Sequence, residues 1–329
     1  MPKFFIGPMS LNIVDTIADF CEKENFSIGL IPSRRQVEET GGYVNNWTTN
    51  EFANHVKNAT SKVVLQRDHG GPAQGNEKDD GISSFLCDAR SGFDLIHIDP
   101  WKQYQDLEEG ITATTDYIKL LCAENDTCRF EVGTEEAIRP YEASDLDHIL
   151  TSLKENLGPL FERIDYAVIQ FGTRIEGIQN IGLFDEQRCL DMVAVCKKHG
   201  LLSKEHNGDY LTSGEIKQRF DLGLDAINIA PEFGVFETKA ILEEIDNNSR
   251  TDLFELFYQI CLSSGKWEKW VPSNFELTDQ NKRFIIEVCG HYVFSDPFIK
   301  ELKKELPLID EKIKGQLYKK LTDLKCIVK

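Results

Sequence analysis

Short apolar runs alternate along this chain with longer stretches in which apolar residues recur every three or four positions. The runs at 3–7, 27–31, 62–66, 95–98, 128–132, 166–171, 201–205 and 226–230 are too short for helices, and their apolar content predicts buried strands. Between them, the 3.6-residue period predicts helices over 11–23, 49–57, 81–89, 114–123, 145–156, 186–199, 214–222 and 235–245. Ile13, Ile17, Ala18 and Cys21 share one face of the first, and Cys189, Val193 and Cys196 one face of the sixth. Thr49 is the expected N-cap of the second. Eight strand–helix pairs in succession predict a parallel α/β sheet, and eight is the number that closes into a TIM (β/α)8 barrel. An open, doubly wound sheet is the alternative, but no glycine-rich dinucleotide turn follows the first strand.

From about residue 247 the alternation stops. Helical patterns take over at 252–262, 281–289, 297–306 and 311–324, interrupted by Trp267-Glu268-Lys269-Trp270-Val271-Pro272. We therefore expect a barrel over residues 1–248 that carries the active site, with a C-terminal helical extension over 249–329 packed on it.

Composition narrows the function classes. A chain of 329 residues, 41% hydrophobic, buries a large core. Its net charge of −18 argues against nucleic acid or an anionic membrane surface as partner, and makes any cluster of arginines informative. The nine cysteines are odd in number, form no C-x-x-C pair and sit mostly in apolar runs, as expected of a reduced, cytoplasmic protein. The apolar part of the N-terminus is too short for a signal peptide, and no run approaches membrane-spanning length.

Barrel enzymes place their chemistry where strands end and the following loops begin. That rim gathers Ser33, Arg34, Asp68, His69, Asp99, Glu131, Glu135, Gln170, Arg174, Glu176, His206, Asn207, Asn228 and Glu232. Arg67-Asp68-His69-Gly70-Gly71-Pro72 sets a carboxylate beside an imidazole where glycines allow a tight turn and proline cannot continue a ladder. Of seven histidines, His69 and His206 stand at strand ends, and two imidazoles with Glu131, Glu135 or Glu176 suit a divalent metal such as zinc. Arg34, Arg35, Arg67, Arg139 and Arg174 lie on or just after rim ends. They suit bidentate capture of phosphate or carboxylate, with surface salt bridges as the plainer reading. Lys204 shares strand parity with His206 and admits a Schiff-base mechanism, although a barrel-facing lysine beside acids is more often an ion pair.

Several stretches resemble one family in order and spacing. They are residues 33–43 (Ser-Arg-Arg-Gln-Val-Glu-Glu-Thr-Gly-Gly-Tyr), Asp68-His69-x-Gly71-Pro72, Ile96-His97-Ile98-Asp99, Gly133-Thr134-Glu135 and residues 206–212 (His-Asn-Gly-Asp-Tyr-Leu-Thr). The chain is similar there to the larger, so-called non-catalytic subunit of class II tagatose-1,6-bisphosphate aldolase, a family related to ketose C4 epimerases. More distantly it resembles class II fructose-bisphosphate aldolases. The resemblance implies His69 and His206 as metal ligands, Asp68 as general acid/base and Asn228 as a substrate contact. Where the catalytic aldolases carry a third metal histidine, this chain has Gly172-Thr173-Arg174-Ile175-Glu176-Gly177, so Glu176 stands in that place.

The site expected from both readings has Asp68, Glu135 and Glu176 as catalytic groups and His69, His206 and Glu131 on the metal. Ser33, Arg34, Asp99, Gln170, Arg174, Asn207 and Asn228 would contact substrate. The cofactor is a divalent ion, zinc first, with manganese or cobalt as alternatives. The expected activity is metal-dependent retro-aldol/aldol chemistry on a ketose or ketose phosphate, giving C4 epimerisation or cleavage. The competing expectation is a non-catalytic stabilising subunit with a class II aldolase catalytic subunit as its partner. A homo-oligomer is compatible with either.

Overall fold

The structure, a computed structural model, describes residues 1–328. The apolar runs become β1 (Phe4–Ile6), β2 (Ile28–Leu30), β3 (Val63–Gly70), β4 (Leu95–Ile98), β5 (Arg129–Val132) and β6 (Ile164–Ile169). A short antiparallel hairpin, β7 (Ile175–Glu176) and β8 (Gln179–Asn180), precedes β9 (Leu202–Glu205) and β10 (Ala226–Ile229). The eight longer-range strands close a parallel barrel in the order β1-β10-β9-β6-β5-β4-β3-β2, as the alternation predicts.

The surrounding helices are α1 (Leu11–Glu24), α2 (Thr49–Ala59), α3 (Ile82–Ser91), α4 (Leu107–Glu124), α5 (Ala143–Leu157), α6 (Glu186–His199), α7 (Ser213–Asp221) and α8 (Pro231–Asn247). Two boundaries differ from the sequence reading for local reasons. Thr48, not Thr49, caps α2, because its side chain accepts from Glu51 N while Glu51 returns a bond to the Thr48 backbone. Helix α4 begins at Leu107 because the Asp106 carboxylate accepts from the Glu108 and Glu109 amides.

Beyond α8 come α9 (Thr251–Ser263), α10 (Lys282–Cys289), α11 (Pro297–Lys304) and α12 (Ile309–Ile327). Helix α12 packs against α1 and α8, and α9 and α10 against α8. Their contact is close at Gly234, where a Cβ would come 2.6 Å from the His291 Cβ. His291 is buried among Tyr43 and Tyr292, and neither of its ring nitrogens has a hydrogen-bond partner among the described residues.

The barrel interior changes character along its axis. One end is apolar, with Phe5, Ile31, Leu95, Tyr166 and Ala226 packed together. Gly29 is needed there, since a Cβ would lie 2.0 Å from the Phe5 ring. Above this layer, Lys204 forms a buried ion pair with Glu131 and donates to Gln66 Oε1 at 2.6 Å, while Gln66 Nε2 donates to Glu131 at 3.0 Å. The Lys204 ammonium also sits 3.4 Å from the Phe5 ring centroid, which joins the polar layer to the apolar one. A lysine so enclosed has the ion-pair role, and it is fully buried.

Candidate metal centre and active site

Neighbouring residues of a regular strand point to opposite faces, so Asp68 and His69 should not share a site. β3 departs from regularity at this point. Its register against β4 shifts between Arg67 and Gly70, and His69 takes φ +44°, a left-handed conformation uncommon outside glycine. Arg67, just before, is fully buried and locked by two bonds to Asp88, at 2.8 and 2.6 Å, and two to the Pro32 and Val37 carbonyls. The bulge brings Asp68 and His69 to one cleft together. The sequence reading ended this strand before them; instead the strand carries them.

His69 meets two more imidazoles. One ligating nitrogen from each of His69, His97 and His206 lies within 4.8 Å of the others, and the ring centroids form a near-equilateral triangle of 5.2, 5.1 and 5.1 Å. Each ring is held by a second group. Asp99 Oδ2 lies 2.6 Å from His69 Nδ1, leaving Nε2 free toward Asp68 and Glu135, 3.9 Å from each. His97 Nε2 bonds to the Gly133 carbonyl at 2.9 Å, while its Nδ1 accepts a long bond of 3.2 Å from the His69 backbone N–H, which an ion would displace. Glu131 Oε1 lies 2.8 Å from His206 Nε2. Three imidazoles, each oriented by a carboxylate or carbonyl, are a donor set suited to zinc or a similar divalent ion. The residues fit such an ion.

Electrostatics follow from the same contacts. Burial alone would lower the His69 imidazole, but Asp68, Asp99 and Glu135 outweigh it and push it up to about 10. His97, fully enclosed, is lowered, first by burial and despite Glu131 and Asp99. Burial raises the Glu131 carboxyl, yet Lys204, His97 and His206 overcome this and hold it well below the usual carboxylate range.

The remaining sequence-predicted residues divide. Asp68 accepts from Asn228 Nδ2 at 3.3 Å, and the Asn228 Oδ1, buried, has no partner. Asn207, at φ +57°, donates to Glu135 Oε2 at 2.5 Å. Ser33 bridges to Asp68 and lines the same cleft as Asp68, His69 and Glu135. Glu131 is a carboxylate behind His206 and not beside it, because Lys204 and Gln66 already occupy its other oxygen. Asp99, expected against substrate, is fully buried and orients His69.

Three of the expected residues are engaged or placed otherwise. Arg34 is buried, grips Asp79 through both terminal nitrogens and Glu38 through Nε, and has no edge left for a ligand. Gln170 is consumed by the β5 loop, donating to the Thr134 and Arg139 carbonyls and accepting from Tyr141 N. Glu176 is exposed on the β7–β8 hairpin, outside the hydrogen-bond network of the histidines. Arg174 is also exposed on that segment, but it lines a wider cleft of about 850 Å³ that adjoins the histidine cleft along Glu135 and Trp270.

His97 is the functional candidate that sequence reasoning passed over. It sits inside Leu95-Ile96-His97-Ile98 and reads as a core histidine. Its parity with the rim residue Asp99 was the available signal.

A (β/α)8 barrel with a three-histidine cluster and an acid beside it at the strand ends defines the class of this molecule. No protein-family model matches the chain, and no curated protein matches it by sequence. Solved structures do share its fold. A probable tagatose 6 phosphate kinase from Sinorhizobium meliloti 1021 aligns over 99% of this chain and 100% of its own, at TM-score 0.78 and 13% identity. The YdjI aldolase from Escherichia coli K12 aligns over 98% and 91%, at TM-score 0.60 and 12% identity. The fructuronate-tagaturonate epimerase UxaE from Cohnella laeviribosi aligns over 98% and 81%, at TM-score 0.64 and 12% identity. Two of these three carry the names of an aldolase and an epimerase, and the other that of a kinase.

Proposed function

We propose that this chain is a metal-dependent enzyme that breaks and remakes the C3–C4 bond of a ketose or ketose phosphate, with C4 epimerisation as the outcome. The observation that carries the reading is the β3 bulge, which sets Asp68 beside three converging imidazoles. The aldolase and epimerase names of proteins with this fold agree with it.

His69, His97 and His206 would hold the ion. When bound, such an ion supplies Lewis acidity to a carbonyl oxygen and a neighbouring hydroxyl. The chain's own residues do the rest. Asp68 Oδ1 is held by Asn228, so Oδ2 is the oxygen open to proton exchange. It takes the C4 hydroxyl proton as the C3–C4 bond breaks and returns one when the bond reforms. Asp99 and Glu131 keep His69 and His206 in fixed orientations. Glu135, held by Asn207 and 3.9 Å from the same His69 nitrogen as Asp68, is a second carboxylate lining the cleft. An aldehyde fragment retained in the cleft can turn and add from its other face; one that is released makes the reaction a cleavage.

The test is incubation of metal-loaded protein with fructose, tagatose and their 6-phosphates, following C4 epimers and released triose by NMR. Epimer interconversion without a partner chain is expected. Asp68→Asn should lower turnover by about 10²–10⁴-fold with metal content and circular dichroism unchanged. If no sugar reacts until an aldolase catalytic subunit is added, and Asp68→Asn then makes no difference, the chain is an accessory subunit and this reading fails.

A further inference from the structure

The cleft above His69 has walls of opposite charge. Its floor holds Asp68 and Glu135; its lip holds Arg35, Lys102 and Lys269, in a space of about 260 Å³. The three cations arrive on separate parts of the chain: the loop after β2, the loop after β4 and the 3-10 turn Glu268–Trp270 of the extension. In a chain of net charge −18, most cations have an acid to hold. These three have none: among the described residues no carboxylate lies within ion-pair distance of them. Arg35 gives only Nε, to the Gly75 carbonyl at 3.3 Å. Lys269 rests over the Trp270 and Tyr292 rings, 4.7 Å from each centroid. Like charges gathered without a directly paired carboxylate repel one another, offset here only by the more distant acids of the floor, and an anion between them would complete the group.

We propose that Arg35, Lys102 and Lys269 form an oxyanion-binding lip that captures a terminal phosphate or carboxylate of the sugar, its reacting end lying at the histidines. The lip contributes specificity, not chemistry, and makes the extension part of the substrate site. Two further facts agree. Lys269 is brought down to about 8, first by desolvation, then by the charges of Arg35, Lys266 and Lys102. Lys102 is lowered by desolvation and by Arg35, with Asp99, Glu135 and Asp68 pulling the other way. Both lysines thus sense the guanidinium across the cleft. A dianionic phosphate monoester suits three cations better than a monoanionic carboxylate does, so phosphate is the favoured source. Arg34, which sequence reasoning favoured for this task, is spoken for by Asp79 and Glu38; its neighbour Arg35 is the free one.

The inference rests on the ketose reading, but it is tested without turnover. Thermal shifts of the full chain are measured with glycerol, glycerate, glycerol 3-phosphate and inorganic phosphate at constant, low ionic strength. Wild-type protein should be stabilised by glycerol 3-phosphate and phosphate, less by glycerate, and not by glycerol. Arg35→Gln, Lys102→Gln and Lys269→Gln should each weaken phosphate about fivefold, and the triple variant should abolish the shift. Lys304→Gln, on an exposed lysine paired with Glu301 outside the cleft, should change nothing. A stronger shift with glycerate than with the phosphates would assign the lip to a sugar acid. If no oxyanion exceeds glycerol, or if the triple variant binds as wild type does, the lip does not exist. Absence of turnover with every ketose would overturn the parent reading and leave these binding results standing.

Discussion

Replacing His291 by leucine tests how the extension is held on the barrel. In the folded chain this imidazole is buried, has no hydrogen-bond partner among the described residues, and is pushed down to about 3 by burial and then by Lys269. Its ordinary value is 6.5. The unfolded chain therefore takes up the proton first as the solution is acidified. Stability due to this group is intact above about 6.5, and falls as pH drops from there toward 3. With those two values, linkage gives about 2.5 kcal/mol lost between pH 7 and about pH 4.5. Leucine has nearly the same volume and no proton to gain, so His291→Leu should match wild type at pH 7 within about 1 kcal/mol. It should then lose about 2.5 kcal/mol less on acidification. Urea unfolding followed by tryptophan fluorescence, with chelator present, measures both, and Trp267 and Trp270 place reporters in the extension itself. Other titrating groups cancel in the difference between the two proteins. Parallel loss of stability in wild type and variant would refute the argument.

Two further outcomes follow from the site. His97→Gln should reduce bound divalent metal in the purified protein by at least about tenfold with the fold intact, although the residue lies within a strand; metal content equal to wild type would exclude it as a ligand. Lys204→Met should destabilise the protein by about 3–5 kcal/mol, because it strands Glu131 inside the barrel, and borohydride should trap no sugar on the wild-type chain. A stable Lys204→Met variant, or a borohydride adduct, would contradict the ion-pair role.

What could be read from the sequence was what periodicity encodes. The strands and helices of the barrel follow from runs of apolar residues, and the end of each strand points to the rim. The bulge does not follow, because a shift of one residue in β3 is a relation between β3 and β4, whereas the pattern reports only one strand at a time. That is why Asp68 and His69 were legible as residues but not as a pair on one face. His97 was hidden by its apolar neighbours on both sides. Arg34 and Gln170 looked like ligand contacts because of where they stand in the chain. Their side chains turn back instead to satisfy nearby carboxylates and loop carbonyls, which only the folded loops reveal. Lys269 reaches the cleft through a packing of the extension that no local signal carries.

That packing separates two properties that a barrel enzyme usually holds in its own loops. The strands set the floor of the cleft, where His69 and Asp68 stand, with the buried His97 and His206 clustered against His69. Part of the wall comes from Lys269, Trp270 and Tyr292, far along the chain. Under the proposed reading, substitutions at those wall positions would change which molecules are admitted while leaving the strands and their register in place. A protein engineer testing that division of labour would begin with the C-terminal third, leaving the barrel alone.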